Sequence, residues 1–246
     1  MAGMTHESCP PSVRAALVLD GVAVRRRGRD VVVVDRLRFD RGSHVLAGAN
    51  GSGKSTLLAG IAGLLPVDGL VTVGGQDVTS GAGRRSVAYL PQAPSGLDHL
   101  TALDAVRFAQ AVVGLAAADP VAHLETVGMA DRARSRVGRL SGGERRLVYL
   151  ATLLTQRAPV FLLDEPTVGL DAAHRLALRD VLRRIAAEAV VVTATHVADD
   201  LDDLADRIVV LSDGRVVHDG PGADLRDAAP DGPSWDRALT ALAVAP

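Results

Sequence analysis

The stretch GANGSGKS, residues 48–55, decides the fold of this chain because it fits the pattern G-x-x-x-x-G-K-[ST]. The β-rich segment SHVLAG (residues 43–48) precedes it, and a helical pattern over residues 54–65 follows it and ends before Pro66. In this order of strand, loop and helix, glycines let backbone N–H groups turn toward phosphate oxygens, and the helix N-terminus adds a positive dipole. We name residues 48–55 the phosphate loop, and it predicts a nucleoside triphosphate site.

The residue types around the phosphate loop match the parts of a triphosphate. Lys54 can reach the β- and γ-phosphates, the Ser55 hydroxyl can ligate Mg²⁺, and Thr56 can cap the α-phosphate side. An ordinary glycine-rich turn would have no use for lysine followed by serine at this spacing. The predicted nucleotide ligands are Asn50, Gly51, Ser52, Gly53, Lys54, Ser55 and Thr56.

Two later strand ends carry polar residues that could complete such a site. Asp164 and Glu165 close the apolar run VFLLDE, where a carboxylate can hold Mg²⁺ and a second one can orient or deprotonate a water. An aspartate at a strand end can also be a turn former, but the adjacent carboxylate favours chemistry. His196 follows the apolar strand VVVTAT, at the sheet edge where site residues emerge in this fold class.

Composition and net charge limit the classes of protein to which this chain can belong. The chain has 246 residues, 48% of them hydrophobic, which suits one α/β domain with a subdomain. A net charge of −2 and 2% aromatic residues argue against nucleic acid as a partner. The single cysteine, Cys9, cannot form an internal disulfide, so a reducing cytosol is expected. The apolar runs are far shorter than the roughly 20 residues of a membrane-spanning helix.

The pattern along the chain predicts three parts. Residues 1–12 are a flexible tail, residues 13–220 a nucleotide-binding domain, and residues 221–246 a loop and a last helix with Ser234 as its N-cap and Trp235 as a packing anchor. An Ala-rich helical pattern from about residue 98 predicts a small subdomain inserted into the sheet domain, reaching about residue 150 with the helix after LSGG. The short, nearly all-apolar strands VFLLDE, VVVTAT and RIVVLSDG are typical of a parallel sheet buried on both faces.

A second glycine-containing stretch, LSGGE at residues 140–144, also suits an anion, and we name it the signature segment. Ser141 and Glu144 form the pattern of a capping box, so the segment is predicted to begin a helix. Gly142 and Gly143 leave the N–H groups and dipole of that helix open to an anion from outside.

Taken together, the motifs resemble the nucleotide-binding subunit of an ATP-binding cassette (ABC) system over about residues 15 to 220. They stand in the family's order and are GANGSGKST as Walker A, YLPQ with Gln92 as the Q-loop, LSGGE as the signature, VFLLDEP as Walker B, VGLD ending in Asp171 as the D-loop, and His196 as the switch histidine. Within the family, residues 89–115 and 164–171 look most like exporters of the ABC-2 type.

The resemblance implies an α/β P-loop NTPase fold, with a mixed central sheet, an N-terminal antiparallel β subdomain and an inserted α-helical signature subdomain. It implies hydrolysis of ATP with Mg²⁺ by two subunits, expected to be a homodimer, that drive separate transmembrane permease subunits from the cytoplasmic face of the membrane. In the family, the signature of one subunit meets the γ-phosphate held by the other. The membrane partner is expected in the groove between Gln92 and the segment from Asp98 to Leu115.

The resemblance implies residue roles only at positions of this chain that match the family's motifs. Glu165 would activate water, His196 would hold the γ-phosphate, and Gln92 would sense the metal and contact the membrane partner. Asp171 would bridge the two subunits. The implied metal ligands are Ser55, Gln92 and Asp164, and the implied ligands of the second subunit's nucleotide are Ser141, Gly142 and Gly143.

The chain departs from the family pattern at three positions. Arg27 precedes Gly28 where an aromatic residue usually stacks on adenine; an arginine can stack on a base through a cation–π contact worth roughly 0.5 to 2 kcal/mol, or it can belong to a solvated basic hairpin. Glu144 stands where glutamine is more usual, and Val168 where a small polar residue is common.

Two other functions compete with transport. A soluble ABC-type ATPase for cofactor assembly or another non-transport role would share every motif, although the chain has no basic run beyond RRRGR. A P-loop kinase of small molecules would share the phosphate loop but would leave the signature segment without a purpose.

Overall fold

The computed structural model describes residues 16–81, 83–114, 119–196, 206–227 and 235–244, which fold into two sheets and a set of flanking helices. The strands are β1 Leu17–Arg26, β2 Arg29–Phe39, β3 Gly42–Ala47, β4 Val67–Val73, β5 Gln76–Asp77, β6 Val87–Leu90, β7 Val160–Asp164, β8 Val190–Ala194, β9 Arg207–Ser212 and β10 Arg215–Gly220. The helices are α1 Lys54–Ile61, α2 Ala102–Val112, α3 Pro120–Thr126, α4 Gly142–Leu154, α5 Ala172–Ala186, α6 Gly222–Asp227 and α7 Trp235–Val244. Short 3₁₀ turns lie at Gly83–Ser86, Ala130–Arg132 and Val137–Arg139.

The central sheet has the order β10-β9-β3-β8-β7-β6. Neighbours from β9 to β6 pair in parallel, and β10 pairs antiparallel with β9, so the sheet is mixed as predicted. Every residue of β7 and β8 is buried, because helices cover one face and the antiparallel sheet with α1 covers the other. The carboxyl ends of β3, β6, β7 and β8 therefore meet at one edge of the sheet.

The N-terminal sheet is antiparallel, in the order β2-β1-β4-β5. Its inward side chains pack with α1 against the central sheet in one apolar core. Backbone bonds also tie it to the phosphate loop: Val33 N–H donates to Gly214 O at 2.8 Å, and Gly214 N–H donates to Ser52 O at 3.0 Å. Gly214 thereby connects this sheet to the phosphate loop.

The inserted segment between β6 and β7 is helical and carries α2, α3 and α4. Each of these helices begins at a side-chain N-cap, which is Thr101, Asp119 and Ser141 respectively. Their apolar faces pack together and onto the central sheet in the second core. The α/β fold class with an inserted helical segment is thus confirmed, whereas the predicted domain boundaries stay predictions.

The first helix is shorter than the sequence predicts, and Trp235 is buried as predicted. The helix expected over residues 54–65 ends at Ile61, because Gly63 adopts a left-handed φ of 72° and its N–H bonds Gly60 O instead of continuing the helix. Trp235 is buried in the core beside α6, as expected of a packing anchor. Cys9, the tail at 1–12, Leu115 and Ser234 lie outside the described residues.

Candidate functional site

The phosphate loop connects β3 to α1 at the carboxyl edge of the central sheet, as the sequence predicts. Gly48, Gly51 and Gly53 have φ values of 146°, 86° and 106°, a region that side chains avoid. A Cβ on Gly48 would lie 2.2 Å from the backbone oxygen of Leu211. The glycines are therefore required by the backbone path as well as by the close approach of a phosphate.

Lys54 lies inside the phosphate loop, with 5% of its surface exposed. Its Nζ donates to the backbone oxygens of Gly48 at 2.7 Å and Ala49 at 3.0 Å. Burial lowers the pKa of the Lys54 ammonium, and the carboxylates of Glu165 and Asp164 act in the opposite direction. The positive charge is thus held at the centre of the loop, close to the acidic end of β7.

Asp164 at the end of β7 is joined to the phosphate loop. The Ser55 hydroxyl donates to Asp164 Oδ1 at 3.0 Å. Burial raises the pKa of Asp164, while the hydrogen bond from Ser55 opposes that shift. A hydroxyl beside a buried carboxylate provides the hard oxygen donors that Mg²⁺ prefers, so these two residues fit that ion.

Glu165 and His196 form the next pair along the same edge. His196 Nδ1 lies 2.7 Å from Glu165 Oε1, and only 6% of the Glu165 side chain is exposed. Among the described residues, no hydrogen-bond partner reaches Glu165 Oε2. The Glu165 backbone has a φ of 51° and is held by its N–H bond to Ala194 O at 2.9 Å. One carboxylate oxygen is fixed and the other is available as an acceptor.

The signature segment begins α4 through the predicted capping box. Ser141 N–H donates to Glu144 Oε2 at 2.9 Å, and Glu144 N–H donates to Ser141 Oγ at 3.2 Å. The backbone N–H of Ser141 holds the pKa of Glu144 below its usual value, with further help from Arg132. In the described part of the chain, no hydrogen bond joins Ser141 to the phosphate loop. A Cβ on Gly142 would meet open space.

Gln92 and Asp171 both contact other residues of the same chain. The Gln92 side chain is exposed, and its backbone oxygen accepts from Arg146 at 2.5 Å. Asp171 caps α5, accepting from His174 N at 2.9 Å, and this bond lowers the pKa of Asp171. The metal role of Gln92 and the subunit-bridging role of Asp171 stay predictions.

Arg146 is a site residue that the sequence reasoning missed. Its guanidinium donates to the backbone oxygens of Gln92 and Val168, on the two loops that follow β6 and β7. The spacing of three residues places Gly143 and Arg146 on the same face of the helix, but it does not indicate which groups Arg146 contacts. Gly143 itself packs against the loop that follows β7, since a Cβ on Gly143 would lie 2.9 Å from Gly169 O.

Arg27 lies at the tip of the hairpin between β1 and β2. Arg27 and Gly28 have φ values of 52° and 77°, as in the two-residue turns that suit the twist of a hairpin. The Arg27 side chain is exposed. Its role in reading the base stays a prediction.

We expect weak discrimination between ATP and GTP, because an arginine that stacks on a base reads its face rather than its hydrogen-bonding edge. Arg27→Ala should weaken the binding of both nucleotides by a similar factor, on the order of 2- to 30-fold for a lost cation–π contact. Fluorescence competition with both nucleotides measures this effect. A strong preference for ATP that survives Arg27→Ala would show that other residues read the base.

Comparison with known proteins places this site in a family. The model of the ABC transporter family matches residues 36–168. A putative ABC transporter ATP-binding protein of Streptomyces avermitilis is 38% identical over 232 residues, covering 90% of this chain and 41% of that protein. The phosphonates import ATP-binding protein of Nocardia farcinica is 36% identical over 240 residues, covering 86% of this chain and 88% of that protein.

A solved structure described as the ATP-binding subunit of an ABC transporter superposes with a TM-score of 0.80. It is 26% identical and covers 92% of this chain and 98% of that one. The superposition agrees with the predicted P-loop NTPase fold. With the phosphate loop, the signature segment and the acidic end of β7 in place, the chain belongs to the ABC transporter family as an ATP-binding subunit.

Proposed function

We propose that this chain hydrolyses ATP with Mg²⁺ and thereby drives separate membrane subunits of a transporter. One observation carries the proposal: the Lys54 and Ser55 side chains of the phosphate loop meet the ends of β7 and β8, where Asp164, Glu165 and His196 lie. Positioning and charge stabilisation are what phosphoryl transfer requires of a protein.

The residues at the carboxyl edge of the central sheet have separate roles in the proposed reaction. Lys54 and the phosphate-loop N–H groups bind the β- and γ-phosphates. Glu165, held at Oε1 by His196, accepts a proton from the water whose oxygen attacks the γ-phosphorus, while the bond to the leaving ADP oxygen breaks. His196 has 44% of its side chain exposed and can also contact the γ-phosphate.

Ser55 and Asp164 would hold Mg²⁺, with Gln92 as the third predicted ligand. Within the described residues there is no group of three or more histidine, cysteine or acidic side chains that could hold a metal. The Ser55 hydroxyl and the Asp164 carboxylate suit Mg²⁺, which binds one or two carboxylates together with phosphate oxygens and waters. When bound, the ion neutralises charge on the phosphates.

The signature segment is proposed to complete the site of a second copy of this chain. The N–H groups of α4 at the open Gly142 can receive an anion, but within one chain Ser141 bonds only its own cap among the described residues. A head-to-tail homodimer around two ATP molecules gives each signature segment a γ-phosphate to bind.

A membrane partner is proposed to dock on α2 near Gln92. Phe108 and Val112, four residues apart on one face of α2, are 56% and 71% exposed, and Val113 follows them. Exposed apolar side chains of this size, grouped on one helix, favour a binding surface. Among the described helices, none is long and apolar enough to cross a membrane, so this proposal assigns the membrane passage to other subunits.

Phe108→Asp is expected to abolish copurification with a polytopic membrane protein in detergent, while ATP hydrolysis by the isolated chain stays within about twofold, as for a surface substitution. Leu176→Asp is the matched control, because Leu176 is equally exposed but lies on α5. Pull-down from solubilised membranes measures the complex. A stable complex without any membrane protein would support the cofactor-assembly alternative instead.

The proposed direction of transport is export. Residues 89–115 and 164–171 look most like ABC-2 exporters, which supports export. The Nocardia relative is named for import of phosphonates, which is evidence for the opposite direction. Because the chain spans 41% of the Streptomyces relative, that protein's whole activity is not carried over to this chain.

A further inference from the structure

Arg146 connects three segments that are far apart in sequence. It lies in the second turn of α4, two residues after the end of the signature segment. One guanidinium nitrogen donates to Gln92 O at 2.5 Å, and another donates to Val168 O. The first acceptor follows β6 and the second follows β7, so a single side chain joins the helical segment to two strand-end loops.

The charge of Arg146 lies close to the acidic end of β7. Burial lowers the pKa of the guanidinium, whereas the carboxylates of Glu165 and Asp164 act to raise it. An arginine remains a cation despite such burial. The half-buried side chain therefore brings a permanent positive charge toward the two carboxylates of the proposed site.

Both acceptors of Arg146 are backbone oxygens, which makes the contact independent of the side chains at 92 and 168. Val168, where related proteins usually have a small polar residue, offers its carbonyl as any residue would. The turn is closed on its other side, since Val168 N–H lies 3.4 Å from Glu165 O. The residue that accepts from Arg146 thus lies in the same turn as Glu165, the proposed base.

We propose that Arg146 is a positioning residue for hydrolysis, which ties the Gln92 loop to the Glu165–Val168 turn and so fixes where the Glu165 carboxylate stands. The inference rests on the proposed ATPase function. The two fixed hydrogen bonds of the planar guanidinium give a geometry that a lysine ammonium cannot reproduce. The Gln92 loop and the Glu165 carboxylate therefore move together, and a change at the loop alters the rate of hydrolysis.

Arg146→Gln should lower kcat by about 100-fold, which a misplacement of reacting groups by about 1 Å can cause, with little change in the Kd for ATP. Arg146→Lys keeps the charge but forms one bond in place of two, so its kcat should lie between those of wild type and Arg146→Gln. Arg145→Gln is the matched control on the same helix. Arg145 contacts Asp98 at 3.6 Å and Gly138 O at 3.5 Å instead, and its kcat should stay within about twofold of wild type.

Steady-state phosphate release, ATP titration and thermal unfolding of the purified chain separate the outcomes. A selective fall in kcat, with Kd and Tm of Arg146→Lys near wild type, supports positioning. Unchanged kcat in Arg146→Gln, or equal loss in the Arg145→Gln control, overturns the inference. The proposed function is tested separately by wild type and Glu165→Gln in the same assay: if wild type releases no phosphate, the ATPase proposal fails first.

Discussion

Glu165→Gln is expected to abolish ATP hydrolysis while ATP still binds. The glutamine amide keeps the size and can keep the contact with His196 Nδ1, now 2.7 Å from Oε1, but it cannot accept a proton from water. Loss of a general base lowers the rate by about 100- to 10,000-fold. Phosphate release under saturating ATP and Mg²⁺ measures the rate, and titration with a fluorescent ATP analogue measures binding.

The same variant should accumulate as an ATP-bound dimer in gel filtration, because ATP that is not hydrolysed keeps the two signature segments engaged. Lys54→Ala serves as the opposing control. It removes the buried ammonium that bonds Gly48 O and Ala49 O, so it should weaken nucleotide binding itself and form no dimer. Hydrolysis at the wild-type rate in Glu165→Gln would exclude Glu165 as the base.

The backbone at Glu165 supports a special role for this position. A glutamate in the left-handed region, at φ 51°, costs on the order of 1 kcal/mol or more unless its surroundings hold it. Here the N–H bond to Ala194 O and the turn to Val168 hold it, and the side chain is directed to His196. Strain of this kind is common at active sites, where the geometry of a reacting group is worth its cost.

The fold could be predicted because its decisive signals are local. The phosphate loop requires glycine at three left-handed positions, and the nearly all-apolar runs VFLLD and VVVTA are typical of strands buried on both faces. The capping box of Ser141 and Glu144 is likewise contained in four residues. Such signals act over a few residues and need no knowledge of the distant chain.

The differences between the sequence predictions and the structure have both local and distant causes. The helix after the phosphate loop stops at Ile61 rather than at Leu65, because Gly63 ends it before the proline signal at Pro66 takes effect. The contacts of Arg146 could not be predicted because both of its acceptors are backbone oxygens on other loops. Every residue has a backbone oxygen, so the sequence does not indicate which one accepts. The base contact of Arg27 depends on where a hairpin tip lies relative to a nucleotide.

Ser141→Arg is expected to abolish hydrolysis and dimer closure without weakening ATP binding by the monomer. Ser141 is exposed at the start of α4 and, within one chain, bonds Glu144 rather than the phosphate loop. We expect a long cationic side chain at this surface to block the approach of the second subunit's nucleotide and to leave the nucleotide of its own phosphate loop bound.

Ser141→Ala separates this steric effect from loss of the N-cap, which costs about 1 kcal/mol of stability. If the alanine variant keeps most of its hydrolysis and only its Tm falls, the loss of hydrolysis in Ser141→Arg is due to the bulk and charge of the arginine and not to the lost cap. ATP binding by the Ser141→Arg variant is then measured at equilibrium, at protein concentrations too low for dimers to form. Loss of ATP binding by the Ser141→Arg monomer would mean that the signature segment acts on the nucleotide of its own chain, and the head-to-tail arrangement would have to be abandoned.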